Sequence, residues 1–140
     1  EHQEAQMLSN LDKLKGKRIL LCEDHPLNAD IAVRLLERQG MQVTVAKNGK
    51  IGVEIFQKST PDFFQLVLMD VRMPIMDGLE ATKAMRASAR DDARRIPIVG
   101  MSANAYDEDF QRAREAGMND YIAKPVMPMI LYNTLAKWIK

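Results

Sequence analysis

The chain has 140 residues and a mass of 15.9 kDa, with 46% hydrophobic and 28% charged residues, the make-up of one globular domain and not of a disordered or collagen-like chain. Its 20 Lys and Arg nearly balance 19 Asp and Glu for a net charge of +1, which leaves no positive field to hold nucleic acid or an anionic membrane. A single cysteine, Cys22, excludes an internal disulfide and a Cys-based zinc site and suits a reducing cytoplasm, and no apolar run approaches the roughly 20 residues of a membrane span.

Residues 1–16 are polar, with Leu8, Leu11 and Leu14 recurring every third position; they read as a lead-in of helical spacing ending at Gly16, ahead of a domain over 17–140. Because the chain starts at Glu1 and not at methionine, a processed or excised piece is expected. The apolar run Arg18–Cys22, stopped by Glu23-Asp24-His25-Pro26, suits a strand buried on both faces. Leu27, Ile31, Ala32, Leu35 and Leu36 then fall at helical spacing, with Pro26 placed for the first turn and Gly40 for the stop. A short strand over Met41–Ala46 precedes a short helix marked by Ile51, Ile55 and Phe56, which ends before Pro61. Phe64–Met69 reads as the third strand, running into Asp70; the loop Val71–Asp77 carries Pro74, and Gly78 opens a helix to about Ala87. Arg86–Arg95 is polar and basic and reads as a solvated helix end and loop. Ile96–Met101 makes a fourth strand, and a helix around Phe110, Ala113 and Ala116 stops at Gly117. Asp120–Ala123 is a short fifth strand, and Leu131, Leu135 and Trp138 mark a last helix. Five strand–helix units predict a doubly wound α/β domain with a parallel sheet covered on both faces and right-handed crossovers.

Ligands of an open α/β sheet sit outside the carboxyl ends of its strands. Strand one ends in Glu23-Asp24, strand three in Asp70, strand four in Ser102 and strand five in Lys124, so three acids, a hydroxyl and a lysine are expected on one edge. Gathered carboxylates repel one another unless a cation is present. Magnesium, which takes one or two carboxylates, a carbonyl and several waters, suits this set better than calcium, for which no D-x-D-x-D-G loop appears. It also suits the set better than zinc, since His2 and His25 are the only histidines. Taken singly, Asp24 reads equally as a helix N-cap, Asp70 as a loop acid, Lys124 as a surface lysine and Ser102 as a turn hydroxyl. Together, at four strand ends, they are far more specific. Met69, Met73, Met76 and Met101 read as packing and not as a metal or redox box.

The stretches ILLCEDHPLN (19–28), LVLMDVRMPIMDG (66–78), IVGMSANA (98–105) and GMNDYIAKP (117–125) resemble, in order and spacing, the receiver domain of two-component response regulators, over about residues 17–140. The resemblance implies a flavodoxin-like (βα)5 fold of strand order 2-1-3-4-5, in a phosphorelay protein of bacterial type. It implies that Asp70 is the phosphoacceptor, attacking a phosphohistidine in line. Asp24 and Asp70 would bind Mg²⁺ directly, Glu23 through water, and the Arg72 carbonyl would complete the protein ligands. Ser102 and Lys124 would each take a phosphoryl oxygen, and Tyr121 matches an aromatic switch that turns inward with Ser102. Lys124-Pro125 would be joined by a cis peptide, while Pro74 and Gly78 match the turn that shapes the loop beyond Asp70. The output face would be helix four, strand five and helix five, roughly 105–140, where Tyr106 lies.

This sequence departs from the family's usual pattern in small ways. The acidic pair is Glu-Asp where Asp-Asp is usual, and Ser102 stands where threonine is frequent, without the methyl that restricts rotation. Arg72 and Asn104 occupy positions that tune dephosphorylation. The DVRMPIMDGLEAT and SANA stretches look most like receivers appended to hybrid sensor histidine kinases, cytoplasmic parts of such sensors; the rival is a free-standing regulator. The sequence carries no kinase ATP site, and His2 in the polar lead-in is a poor phosphoacceptor. Expected partners are a kinase phosphohistidine, in cis or in trans, and a histidine phosphotransfer protein, with no nucleic acid or membrane contact by this chain. Three other classes fit the residues less well. A magnesium phosphohydrolase would carry D-x-D after its first strand and a cap; a flavin protein would need a phosphate-binding loop where EDHPLN is acidic. A receiver-like interaction module would never take phosphate.

Overall fold

The computed structural model describes residues 11–103 and 107–139; most of the expected lead-in, with His2 and Leu8, and the positions Asn104, Tyr106 and Lys140 lie outside the described residues. Strands and helices alternate as β1 (Arg18–Cys22), α1 (Pro26–Arg38), β2 (Gln42–Ala46), α2 (Gly49–Lys58) and β3 (Leu66–Asp70), then α3 (Gly78–Arg86), β4 (Ile98–Ser102), α4 (Asp107–Ala116), β5 (Asp120–Ala123) and α5 (Pro128–Trp138). All pairings are parallel, in the order β2-β1-β3-β4-β5. The chain therefore reverses its direction of travel across the sheet between β1 and β3, the place where such folds leave a crevice at the strands' carboxyl ends.

The apolar runs explain this arrangement. β1, β3 and β4 are buried along nearly their whole length, because successive side chains serve two different cores. Ile19, Leu21, Leu66 and Leu68 pack under α1 and α5 with Leu35, Leu36, Leu131 and Leu135. Leu20, Cys22, Val67 and Met69 point the other way, onto Phe56, Ala81 and Met85 of α2 and α3. α1 takes Pro26 into its first turn, and the Asn48 side chain starts α2 by accepting from Ile51 N at 2.9 Å.

β3 and β4 each begin two residues later than the apolar runs suggest. Pro97 has no N–H for the ladder, and Ile96 N is already bound to the Asp92 carbonyl at 3.0 Å; Phe64 lies outside the ladder, edge-on to Phe63. The Arg86–Arg95 segment is not the solvated loop expected. Arg86 donates to the carbonyls of Ala93 (3.0 Å), Ile96 (2.7 Å) and Gly117 (3.0 and 2.8 Å) and to Asn119 Oδ1 (2.7 Å). Arg90 lies over the Phe56 ring at 4.3 Å and pairs with the buried Asp92. Within the lead-in, Leu14 is fully buried and Lys13 Nζ reaches the Ala136 carbonyl at 3.0 Å, so residues 11–16 pack onto α5 and the first core. Among the described residues no helix is long and apolar enough to cross a membrane.

Candidate functional site

The carboxyl edge of the sheet gathers the strand-end residues. Glu23 follows β1, held there by its backbone N–H on the Ala46 carbonyl at 3.0 Å; Asp70 ends β3 beside Met101 of β4; Lys124 follows β5 and donates its backbone N–H to the Ser102 carbonyl at 2.9 Å. Lys124 Nζ bridges Glu23 Oε2 at 2.8 Å and Asp70 Oδ2 at 3.0 Å, so residues 101 and 54 positions away in sequence meet at one ammonium. One carboxylate oxygen each from Glu23, Asp24 and Asp70 lies within 4.8 Å of the others, the one such acidic group among the described residues. Glu23 and Asp70 are buried, at 3% and 4% exposure, while Asp24 is open to solvent. Asp24 does not cap α1: His25 is the N-cap residue and makes no side-chain cap bond.

The charges are not balanced by the protein alone. Burial pushes the Asp70 carboxyl up from the ordinary 3.8 to about 6; the Lys124 hydrogen bond opposes this, and the neighbouring Glu23 adds to it. Burial also works against the Lys124 charge, but its bonds to Glu23 and Asp70 outweigh that and hold the ammonium above its usual value. Three carboxylates against one ammonium leave room for a divalent cation, and the donor set is all oxygen with one member open to water. That fits magnesium.

The loop beyond Asp70 is shaped by close approaches. A Cβ on Gly78 would lie 2.2 Å from the Asp70 carbonyl oxygen, and one on Gly49 would lie 2.4 Å from that of Met76, so both positions need glycine. The Arg72 side chain is exposed, and the Arg72 backbone N–H lies 3.4 Å from Asp70 Oδ1, a long contact. Ser102 ends β4, buried, next to Lys124; the Lys124–Pro125 peptide is cis. Tyr121 is half-buried beside Gly100, edge-on to Phe110 at 6.1 Å.

Two features escaped the sequence reading. Asp77 caps α3, its Oδ1 accepting from Glu80 N at 2.8 Å; an acid three residues before Glu80 was the signal available for that. The second is a cavity of about 390 Å³ beside Glu23 and Lys124, walled by Asn28, Ile31 and Ala32 on one side and Pro125 and Val126 on the other, which no motif announces.

Residues 19–136 match the response regulator receiver domain family. Hybrid signal transduction histidine kinase I of Dictyostelium discoideum is 34% identical over 121 residues, 85% of this chain and 7% of that protein, so the chain spans a small part of such relatives. The receiver domain of sensor histidine kinase PA1611 from Pseudomonas aeruginosa, solved with a magnesium ion coordinated in its active-site cleft, superposes with a TM-score of 0.79 at 36% identity, covering 88% of this chain and 97% of that one. The receiver domain of the response regulator Ssk1, solved with the phosphotransfer protein Ypd1 of Saccharomyces cerevisiae, gives a TM-score of 0.78 at 28% identity, covering 89% of each chain. Similar relatives come from an amoeba, a fission yeast, a plant and a bacterium, so the likeness does not mark a bacterial source.

Proposed function

This chain belongs to the response regulator receiver domain family, and from that premise we propose that it is a phosphoacceptor in a two-component phosphorelay, taking a phosphoryl group from a protein phosphohistidine onto Asp70. The observation that carries the reading is the Lys124 bridge between Glu23 and Asp70 within the acidic group at the carboxyl edge. Asp24, Asp70 and the Arg72 carbonyl would hold Mg²⁺, with Glu23 acting through water. When bound, the ion neutralises charge on the phosphoryl oxygens and on the gathered carboxylates.

The chain's own residues do the rest. One Asp70 carboxylate oxygen forms the new P–O bond as the P–N bond to the donor imidazole breaks, the electron pair leaving with the ring nitrogen. Lys124, already placed on an Asp70 oxygen, turns to a phosphoryl oxygen, and the Ser102 hydroxyl takes another. A phosphoryl group brings about two charges and three acceptor oxygens, enough to draw Ser102 in and let Tyr121 follow. The face made by α4, β5 and α5 then carries the change to a partner. Water later splits the acyl phosphate, releasing inorganic phosphate and restoring the carboxylate.

The similarity to hybrid kinases supports a place in such a sensor, with the donor histidine in the same chain or another and a phosphotransfer protein next in line; a free-standing regulator is the alternative arrangement. Intact-mass spectrometry after incubation with acetyl phosphate tests the chemistry. The expected result is one added phosphoryl group that needs Mg²⁺ and is absent from Asp70→Asn. Failure of both acetyl phosphate and a phosphohistidine protein to label the chain would leave an interaction module as the better reading.

A further inference from the structure

β2 is an edge strand, paired with β1 on one side and with no strand of the described residues on the other. The Gln42 N–H donates to the Lys17 carbonyl at 2.9 Å, and the Ala46 carbonyl accepts from Glu23 N at 3.0 Å. In a parallel ladder alternate residues face the neighbouring strand, so Gln42, Thr44 and Ala46 bond to β1. The N–H and C=O groups of Val43 and Val45 therefore point out of the free edge, and among the described residues no hydrogen bond reaches them.

Folds ordinarily blunt such an edge with a charge, a proline or a bulge. Gln42–Ala46 contains none of these: its register with β1 is unbroken along the whole strand, and the nearest charge, Lys47, lies beyond it. The opposite edge of the sheet is treated differently. In β5 the Tyr121 N–H is taken at 2.8 Å by the carboxylate of Asp120, an acid within the strand. On β2, Thr44 and Val45 are exposed, Val45 at 39%.

We propose that β2 is a self-recognition edge: two copies of this chain pair antiparallel along it, about a two-fold axis through Thr44. The symmetry of Val43-Thr44-Val45 selects a second copy over an unrelated strand. About that axis Val43 of each copy lies opposite Val45 of the other, in a pair that exchanges both N–H···O bonds. Every outward group of Val43 and Val45 is then satisfied. Each such pair brings two β-branched side chains together on one face, and the two threonines meet at the axis on the other, pairings that stabilise sheets. No like charges oppose each other, since Lys47 falls opposite Met41. The interface is isologous and closes at two copies. One short strand buries less than a standard interface, so the association is weak. Because the paired strands run in opposite directions, the two carboxyl edges lie at opposite ends of the joined sheet.

Light scattering on a sizing column, with the chain loaded from micromolar to millimolar, reads the assembly. The mean mass is expected to rise from 15.9 kDa toward twice that and no further. Val45→Pro removes only an outward N–H, so it is expected to keep the fold by circular dichroism and to weaken association at least about tenfold. Thr44→Lys sets two ammonium groups at the axis; it is expected to weaken association equally, and it decides the matter should the proline variant unfold. Thr44→Cys reads the register, because a non-hydrogen-bonded antiparallel pair has Cα atoms about 4.5 Å apart, within disulfide reach. With oxidised glutathione it is expected to give at least about ten times more covalent dimer than Gln42→Cys, whose position faces Ala46 of the other copy. The parent, with Cys22 buried, provides the blank. A parent that stays at 15.9 kDa throughout overturns the proposal. So does a dimer that Thr44→Lys leaves intact, which would place the contact on another face, and so does a mass that climbs past two copies.

Discussion

Asp70 is held at 4% exposure with Glu23 beside it, and among the described residues Lys124 is the cation bonded to both. Its carboxyl titrates near 6 when folded against 3.8 ordinarily, so between those values the folded state binds more protons than the unfolded one. Stability is then greatest below about pH 4 as far as this group is concerned, falls as pH rises toward 6, and stays low above it. Asp70→Asn removes the titrating charge and keeps the shape. In Mg²⁺-free buffer it is expected to raise the thermal midpoint by several degrees at pH 8, with the difference closing toward pH 4, as measured by circular dichroism at stepped pH. A variant no more stable than the parent at pH 8 would mean that Lys124 fully balances the site. That Asp24, Asp70, Ser102 and Lys124 would share one edge could be suspected from sequence because each lies at or just beyond the end of a strand-length run. Their convergence needed only the parallel sheet.

At the scale of elements, Arg86 is a clasp. It ends α3, yet its guanidinium is spent on the carbonyls of the turn before β4 and of the turn before β5, and burial lowers its proton affinity. Arg86→Met keeps the aliphatic stem but strands those carbonyls without a donor, and is expected to cost about 3 kcal/mol in urea denaturation. Lysine, with one compact ammonium, cannot span the same acceptors and would recover only part of that. From sequence this stretch reads as solvated because most of the acceptors of Arg86 are main-chain oxygens, those of Ala93, Ile96 and Gly117, which carry no side-chain signal. Apolar periodicity placed the helices, and alternation on two faces explains why β1, β3 and β4 read as unbroken runs. The starts of β3 and β4 lie two residues later than the apolar runs suggest, where Phe64 and Ile96 are buried without joining the ladder, and that of β2 lies one residue later than Met41.

Taken whole, the molecule gathers three carboxylates at the carboxyl end of the sheet, the one such group among the described residues. A cation bound there is linked to folding, so Mg²⁺ at about 100 times its dissociation constant is expected to add about 2.7 kcal/mol of stability, checked by calorimetry with and without the ion. Asp24→Ala should abolish most of that gain while leaving the metal-free midpoint nearly unchanged, because Asp24 is exposed and not a cap. The strand next to this site carries the chain's one cysteine, on the residue before Glu23. Cys22 is fully buried, its thiol pushed up to about 12 by burial, and its sulfur would lie 2.5 Å from a Cβ placed on Gly52. Alkylation is therefore closed to it until β1 parts from α2. A slow maleimide reaction followed over hours becomes a clock for opening of β1, and a ligand that tightens the carboxyl edge should slow that clock about tenfold for each 1.4 kcal/mol of stability it adds against that opening.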